Sequence, residues 1–337
     1  MPRTGVVAMA RIDVVIPCYN YGRYLAVCVQ SVLEQSAGDL RVLIIDDASS
    51  DNSVAVARML AKADGRVSVI AHGKNQGNIK TYNEGIEWAE GDYFLLLSAD
   101  DLLVPGAFDR AIRVMDANPD VVMTYGDCVA WYDHLPLPPI GTASPFTWSR
   151  TNLVREMCTI VSNFVPTPTA ITRTSSQKAI GGYDPTLPHA GDLEMWLRFA
   201  ALGDVAHIHS VQAIYRKHAS AMSNPYFGNI LSDYRQRKSA FDAFFDKCGD
   251  RIAGLTSLRQ TTHRALADKA FKSGVGYMRH GRIGDGFQLL RWAMKQDRRL
   301  RYLPPLWQLV KLPGPEGCRW VADGLKAATR KLVARSH

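Results

Sequence analysis

The sequence predicts an α/β fold: a mostly parallel central sheet with helices on both faces, followed by a C-terminal helical region. Two observations support this prediction. From Arg11 to Asp120, short apolar runs alternate with segments of helical spacing, which is typical of strands that alternate with helices. From about Asn229 onward the pattern is helical. We therefore predict two domains, residues 1–228 and residues 229–337.

Four pairs of a strand and a helix are predicted in the first half of the chain. Pro17 is expected to end the first strand, and Ser53 is expected to cap the second helix. The first predicted strand lies at the start of "RIDVVIPCYN", and the next three read "LRVLIIDDASSD", "RVSVIAH" and "DYFLLLSADD". The helices that follow them read "YLAVCVQSVLEQ", "VAVARMLAKA", "IKTYNEGIEWAEG" and "GAFDRAIRVMDANPD".

The rest of the first domain is less regular. Residues 134–150 are rich in proline and predict a surface loop. Helices are predicted in "NLVREMCTIVSNF" and "GDLEMWLRFAALG", a short strand in "VPTPTAITR", and short strands with a polar loop in "VAHIHSVQAIYRKHASAMS".

Composition and charge restrict the class of protein. With 47% hydrophobic and 21% charged residues, the chain has a globular composition. It has no apolar run long enough to span a membrane, and its N-terminus lacks the apolar core of a signal peptide. Its six cysteines form no CxxC pair, which argues against a zinc site and favours a reducing compartment. We therefore predict a cytoplasmic protein.

The basic residues are concentrated at the C-terminus. Residues 1–228 carry 18 Lys/Arg and 23 Asp/Glu, whereas residues 229–337 carry 22 and 9. Residues 300–335 read as basic amphipathic helices, which fit either a tail packed on the protein or peripheral contact with the inner face of the cell membrane. Vesicle binding by a chain shortened at residue 299 distinguishes the two. No aromatic platform accompanies the charge, so nucleic-acid binding is not predicted.

Two pairs of aspartates lie at the carboxyl ends of predicted strands. Asp46 and Asp47 end the second strand, and Asp100 and Asp101 end the fourth. In open α/β sheets ligands bind beyond the carboxyl ends of the strands, so both pairs are candidate site residues. Adjacent acids in such places can also be turn formers or helix caps, and that alternative stays open for each pair.

Asp100 and Asp101 favour a divalent cation. Mg²⁺ and Mn²⁺ prefer carboxylate oxygens, and a bound cation relieves the repulsion between two adjacent carboxylates. Asp192 lies at the start of an amphipathic helix. A carboxylate there is either a simple N-terminal cap or a group directed at the same site as the two pairs of aspartates.

Five motifs occur together and in order: "VVIPCYN", "LIIDDASSDNS", "NQGNIKTYNEGIEWAEGDYFLLLSADDLL", "GGYDP" and "GDLEMWLR". Over residues 11–225 the chain resembles bacterial family 2 glycosyltransferases of the GT-A fold, of the type that builds polysaccharide or O-antigen. The resemblance implies an inverting, single-displacement transfer. The donor would be a nucleotide-diphosphate sugar, with UDP or dTDP as the nucleotide. The acceptor would be a hydroxyl of a glycan or a lipid-linked oligosaccharide, and Mn²⁺ or Mg²⁺ would assist.

The resemblance also implies a role for particular residues. Asp192 would be the general base, and Asp101 and His218 would contact the metal. Asp100 would hold the ribose, and Asp47 would accept a hydrogen bond from the base. The remaining positions expected to bind the donor are Pro17, Tyr19, Asn20, Asn75, Gly77 and Lys80.

Two positions depart from the family pattern. Tyr82 stands where an arginine is frequent, and Lys80 is the expected substitute for its charge. Ser98 replaces a common first acid, which is tolerable because the last aspartates of the motif do the binding. Two alternatives remain: a sugar nucleotidyltransferase, which the absence of a glycine-rich loop after the first strand disfavours, and a non-catalytic relative that binds a nucleotide sugar or glycan.

Overall fold

The computed structural model describes residues 10–36, 39–139, 145–222 and 229–297. The chain divides into two compact units, residues 1–255 and residues 256–337. The first unit thus includes residues 229–248, which the sequence analysis placed in the C-terminal region. The basic segment 300–335 lies outside the described residues, so its membrane contact stays a prediction.

The first unit contains a nine-stranded sheet and eight helices within the described residues. The strands are β1 (Arg11–Cys18), β2 (Asp39–Asp46), β3 (Val67–Ala71), β4 (Tyr93–Leu96), β5 (Leu102–Leu103), β6 (Val121–Tyr132), β7 (Trp148–Thr151), β8 (Ile171–Arg173) and β9 (Asp204–Lys217). The helices are α1 (Gly22–Leu33), α2 (Ser53–Ala63), α3 (Asn78–Trp88), α4 (Ala107–Ala117), α5 (Leu153–Ile160), α6 (Thr174–Ile180), α7 (Gly191–Leu202) and α8 (Ile230–Cys248).

The strand order is β3-β2-β1-β4-β8-β6-β9-β5, and β7 also pairs with β9. The parallel ladders are β2–β3, β1–β2, β1–β4 and β6–β9. Each antiparallel ladder includes one of the short strands β5, β7 and β8. The predicted α/β class is confirmed, and the sheet is mixed because these short strands enter it in the opposite direction.

Helices cover both faces of the sheet. Neighbouring side chains of β1 point to opposite faces, and on each face they meet a different helix. Val14 belongs to the buried cluster that includes Leu25 and Val29 of α1. Val15 faces α3, where a Cβ added at Gly85 would lie 2.3 Å from its Cγ1. Gly85 therefore lets α3 approach the sheet closely.

Two details of the predicted boundaries were wrong. β1 continues past Pro17 to Cys18. Proline has no N–H to donate, but no ladder hydrogen bond is lost at Pro17, because β4 pairs with β1 only as far as Val15. Ser53 is the first residue of α2 and does not cap it. Its backbone N–H and its hydroxyl both donate to Asp51, at 2.9 and 2.5 Å, so the acid two residues earlier takes the capping role.

The prediction missed β6 and described β9 as short strands. The two form one long parallel ladder with irregular register around Gly126. At that position a Cβ would lie 2.4 Å from Cγ of Gln212. Residues 121–126 of β6 are buried and contain a short apolar run, whereas the second half of the strand is partly exposed and has none.

The described part of the second unit is a helical hairpin, in the region that was predicted to be helical. Its helices are α9 (Leu255–Arg279, whose first residue closes the first unit) and α10 (Ile283–Gln296). A Cβ at Gly286 would lie 2.2 Å from Cγ of Met278, so glycine allows the two helices to pack tightly. Within the described ranges, no helix has both the length and the apolar character needed to cross a bilayer.

Candidate active site

An open cleft of about 940 Å³ lies beyond the carboxyl ends of β1, β2 and β4. The start of α7 forms its other wall. Lys80, on α3, is exposed and does not line the cleft, and neither does the buried side chain of His218. The other predicted site residues all line it: Pro17, Tyr19, Asn20, Asp47, Asn75, Gly77, Asp100, Asp101 and Asp192.

Asp100 and Asp101 sit in a turn after β4 rather than on the strand itself. The N–H of Asp101 donates to the carbonyl of Ser98 at 3.0 Å, which closes the turn. Burial, together with the charge of Asp100, raises the pKa of Asp101 well above its ordinary value. Two carboxyl groups are thus held side by side where water stabilises their charge poorly, so a cation would be favoured there.

Arg216 of β9 holds this turn, and it was not predicted from the sequence. Its backbone N–H donates to Oδ1 of Asp101 at 3.0 Å, and its Nε donates to the carbonyl of Asp100 at 2.8 Å. The guanidinium lies 4.5 Å from the ring centre of Tyr24 and 4.1 Å from that of Trp131. No signal in the local sequence joins Arg216 to the two aspartates, because the contact depends on the pairing of β9 with β5, the strand that directly follows them.

His218 contacts Asp100. Its Nε2 lies 2.9 Å from Oδ2 of Asp100, and its Nδ1 lies 2.9 Å from the hydroxyl of Ser220. The side chain is only 2% exposed. Direct coordination of a metal by His218 would require one of these contacts to open, so that role stays a proposal.

Asp47 holds the loop that begins α3. Its two carboxylate oxygens accept the N–H groups of Gln76 at 2.7 Å and Gly77 at 2.8 Å, and Oδ1 also lies 2.8 Å from Nδ1 of His72. Burial would lower the pKa of His72, but the hydrogen bonds of Asp47 and Glu84 raise it overall. Asp47 therefore shapes the wall of the cleft in addition to lining it.

Asn20 and Asp46 organise the loop after β2. Oδ1 of Asn20 accepts the N–H of Ser50 at 2.8 Å, and Asp46 accepts both the N–H and the hydroxyl of Ser49. Asn20 adopts the left-handed backbone conformation, with φ of 58°. This fixes the chain next to Tyr19, whose ring remains 48% exposed.

Asp192 is the second residue of α7, where the helix dipole favours a carboxylate. Its Oδ2 accepts a hydrogen bond of 2.7 Å from the hydroxyl of Thr167. Burial raises the pKa of Asp192, and hydrogen bonds from Thr167 and Tyr183 counteract part of that effect. A carboxyl group with a raised pKa in a cleft suits proton transfer. Thr167 was not identified from the sequence.

Tyr82 and Tyr183 stand beside Asp192. Their rings meet edge to face with centres 5.4 Å apart, and both residues line the cleft. Burial and the charge of Asp192 raise the pKa of both hydroxyls, so they remain protonated donors. Tyr82, which stands where an arginine was expected, therefore brings a ring and a neutral hydroxyl to this wall.

Side chains of helix α8 bond to residues at and just before the start of α7. His189, which lines the cleft, has its Nε2 3.1 Å from Oδ1 of Asp233. Arg237 in turn holds Asp233 in an ion pair of 2.6 Å. Further along α8, Lys247 bonds Glu194 of α7 at 3.0 Å.

The protein supplies few ligands for a metal by itself. Among the described residues, no group of three or more His, Cys, Asp or Glu side chains could hold an ion. Mg²⁺ commonly binds through one or two carboxylates plus the phosphates of a substrate and water. Asp100 and Asp101 therefore fit a metal that binds together with a diphosphate rather than one held in a closed protein site.

Comparison with known proteins agrees with this geometry. The Glycosyl transferase family 2 model matches residues 13–155. An uncharacterized glycosyltransferase of Haemophilus influenzae is 24% identical over 272 residues, which is 78% of this chain and 83% of the relative. GlyG of Streptococcus pneumoniae is 32% identical over 113 residues, which is 33% of this chain and 38% of GlyG.

Two solved structures share the fold. TarS of S. aureus, solved with UDP-GlcNAc, has a TM-score of 0.58 and 17% identity, covering 77% of this chain and 71% of that one. A mannosyltransferase of Pyrobaculum calidifontis, solved with GDP-Man and Mn²⁺, has a TM-score of 0.57 and 15% identity, covering 94% and 84%. The GT-A fold is therefore confirmed, and the nucleotidyltransferase alternative is disfavoured. Residues 13–155 match glycosyltransferase family 2, and together with the glycosyltransferases that are similar over most of its length this match indicates that the chain is a glycosyltransferase.

Proposed function

We propose that the protein transfers a sugar, with inversion, from UDP- or dTDP-sugar to a hydroxyl of a glycan or lipid-linked acceptor. The observation that carries this proposal is that one cleft holds both a pair of adjacent aspartates and a separate aspartate on the opposite wall. Asp100 and Asp101 lie beyond the sheet, and Asp192 lies at the start of α7, where it has a raised pKa.

The donor half of the cleft suits a nucleotide. The exposed ring of Tyr19 offers a surface on which a base can stack, and Asp47 lies in the same wall. Asp100 is positioned by His218 to accept hydrogen bonds from a ribose. The complexes of TarS with UDP-GlcNAc and of the mannosyltransferase with GDP-Man support a nucleotide-sugar donor.

Asp101, with Asp100 beside it, would hold Mn²⁺ or Mg²⁺ between protein and diphosphate. The ion would supply Lewis-acid stabilisation of the negative charge that develops on the departing nucleoside diphosphate. The Mn²⁺ in the mannosyltransferase complex supports this assignment. Arg216 would keep the pair in place, since its backbone N–H bonds the carboxylate of Asp101 and its side chain bonds the backbone carbonyl of Asp100.

Asp192 would act as the general base. As the acceptor oxygen forms its bond to the anomeric carbon, the hydroxyl proton moves to the carboxylate of Asp192. The bond from that carbon to the diphosphate oxygen breaks, and its electron pair leaves with the diphosphate. Attack from the face opposite the leaving group inverts the anomeric centre in a single step, so one base suffices.

Release of nucleoside diphosphate tests the proposal and the metal role of Asp101 together. With UDP-glucose, UDP-galactose, UDP-N-acetylglucosamine and dTDP-glucose as probes, we expect hydrolysis of at least one donor that requires Mn²⁺ or Mg²⁺ and stops with EDTA. Asp101→Asn should lower kcat/KM by at least about a hundredfold, because the cation loses a charged ligand.

Asp127→Asn is a matched control, because Asp127 is 56% exposed and does not line the cleft. It should retain wild-type hydrolysis. If no donor is bound or hydrolysed in the presence of metal, the proposed function is wrong. Full activity of Asp101→Asn would refute the metal assignment alone.

A second prediction concerns the base pocket. Tyr19→Ala should weaken binding of free UDP by about tenfold, because stacking of a base on an aromatic ring contributes about 1–3 kcal/mol. Tyr19→Phe should bind like the wild type. Isothermal titration calorimetry measures both, and equal affinities of all three proteins would exclude stacking on this ring.

A further inference from the structure

The segment "VPTPTA" was predicted only as part of a strand, yet the structure places it against the candidate base. Thr167, Pro168 and Thr169 form a single 3₁₀ turn between Pro166 and Ala170. Two prolines restrict the backbone of this turn, so its conformation is largely predetermined.

The turn is anchored on its buried side. Thr169 is 1% exposed, and its hydroxyl donates to the carbonyl of Pro166 at 2.7 Å. The same hydroxyl oxygen accepts the N–H of Gly126 on β6 at 3.2 Å. The sheet thereby fixes the turn, and the turn directs Thr167 toward the cleft.

On its other side the turn contacts the base. The hydroxyl of Thr167 lies 2.7 Å from Oδ2 of Asp192, and both residues line the cleft. An ionised carboxylate only accepts hydrogen bonds, so Thr167 must be the donor. Such a bond is made to the ionised form of Asp192 and limits rotation of its carboxylate.

We propose that Thr167 is a positioning residue for the base: its hydroxyl holds the ionised carboxylate of Asp192 in the orientation that receives the acceptor proton. This inference rests on the proposed function of Asp192. Thr167 itself transfers no proton in this scheme. Its contribution is to favour the ionised carboxylate in a site where burial disfavours it.

The test is the pH profile of donor hydrolysis. Thr167→Val keeps the shape of the side chain and removes the hydroxyl. The midpoint of the acid limb of kcat should rise by about one pH unit, because a hydrogen bond to a charged group is lost. Activity well above that midpoint should change much less. Thr167→Ser should restore the wild-type midpoint, and Thr167→Ala serves if the valine variant does not fold.

Thr186→Val is the matched control. The hydroxyl of Thr186 donates to Oδ1 of Asp184 at 2.7 Å, the same kind of bond outside the cleft. This variant should leave the profile unchanged. A carbon-13 NMR titration of aspartate-labelled protein, with Asp192→Asn identifying the Asp192 resonance, measures the same shift without any donor.

The outcomes separate the two proposals. An unchanged Asp192 titration in Thr167→Val and Thr167→Ala would overturn the positioning role, and so would a failure of serine to restore it. Full hydrolysis by Asp192→Asn would instead refute the proposed base. A shifted titration in Thr167→Val with a wild-type titration in Thr186→Val supports the positioning role.

Discussion

Asp192→Asn is expected to lower donor turnover by about 10²–10⁴-fold while leaving donor binding nearly unchanged. Asparagine has the shape of aspartate and can still accept the hydrogen bond of Thr167, but it cannot take a proton. The loss therefore falls on kcat rather than on KM. Release of nucleoside diphosphate measures turnover, and calorimetry with the same donor measures binding.

The control for this variant is Asp109→Asn. Asp109 also lies in the first turn of a helix, α4, but outside the cleft. It should keep wild-type turnover. If Asp192→Asn retains more than a tenth of the wild-type kcat, another group takes the proton.

The wild-type enzyme should also lose activity in acid. Since the pKa of Asp192 is raised above 3.8, the base becomes protonated at a higher pH than an ordinary aspartate. Activity should therefore fall as the pH decreases through that raised pKa.

Asp13→Ala is expected to reduce the free energy of unfolding by about 3–5 kcal/mol, the largest stability effect that we predict. Asp13 is fully buried on β1 and accepts two bonds from Arg41, its direct partner on β2, at 2.8 and 2.6 Å. It also accepts the N–H groups of Glu90 and Gly91 at 2.6 and 2.7 Å. Alanine would leave all these donors without their acceptor. Urea unfolding measures the change.

Asp64→Ala provides the contrast. Asp64 also pairs with an arginine, Arg66, at 2.8 Å, but the two side chains are 28% and 43% exposed. Because an exposed pair is solvated and screened, its loss should cost less than about 1 kcal/mol. Equal effects of the two substitutions would show that burial of Asp13 is not what makes its network strong.

The effect of Asp13 should depend on pH. Burial alone would raise its pKa, but the hydrogen bonds from Arg41, Glu90 and Gly91 lower it below 3.8. A group whose pKa is lower in the folded state stabilises that state above its unfolded pKa. The difference between wild type and Asp13→Ala should be complete above about pH 4 and should shrink in more acid solution.

Much of the fold could be predicted from the sequence. The apolar runs of β1 to β4 and the helical spacing between them are local patterns, and the strands and helices formed there. β6 was not predicted, although its first half is buried and apolar, and β9 was predicted as shorter pieces. Both depend on pairing between segments more than 70 residues apart along the chain, which no local pattern records.

In the candidate site, too, some residues could be predicted from the sequence and others could not. Asp100, Asp101 and Asp192 were identified from the sequence, because acids at strand ends and helix starts are conspicuous against apolar neighbours. Their partners were not. Arg216 and Thr167 reach these acids from other parts of the chain, and Lys80 and His218 are placed away from the cleft lining.

The fold class and the candidate acids could be predicted because each is recorded in a short stretch of residues. Which oxygen of each acid is held, by which donor, and which acid has a raised pKa follow from the tertiary structure. The physical reason is that hydrogen bonding and desolvation depend on distances between side chains, and folding alone brings residues such as Thr167 and Asp192 together.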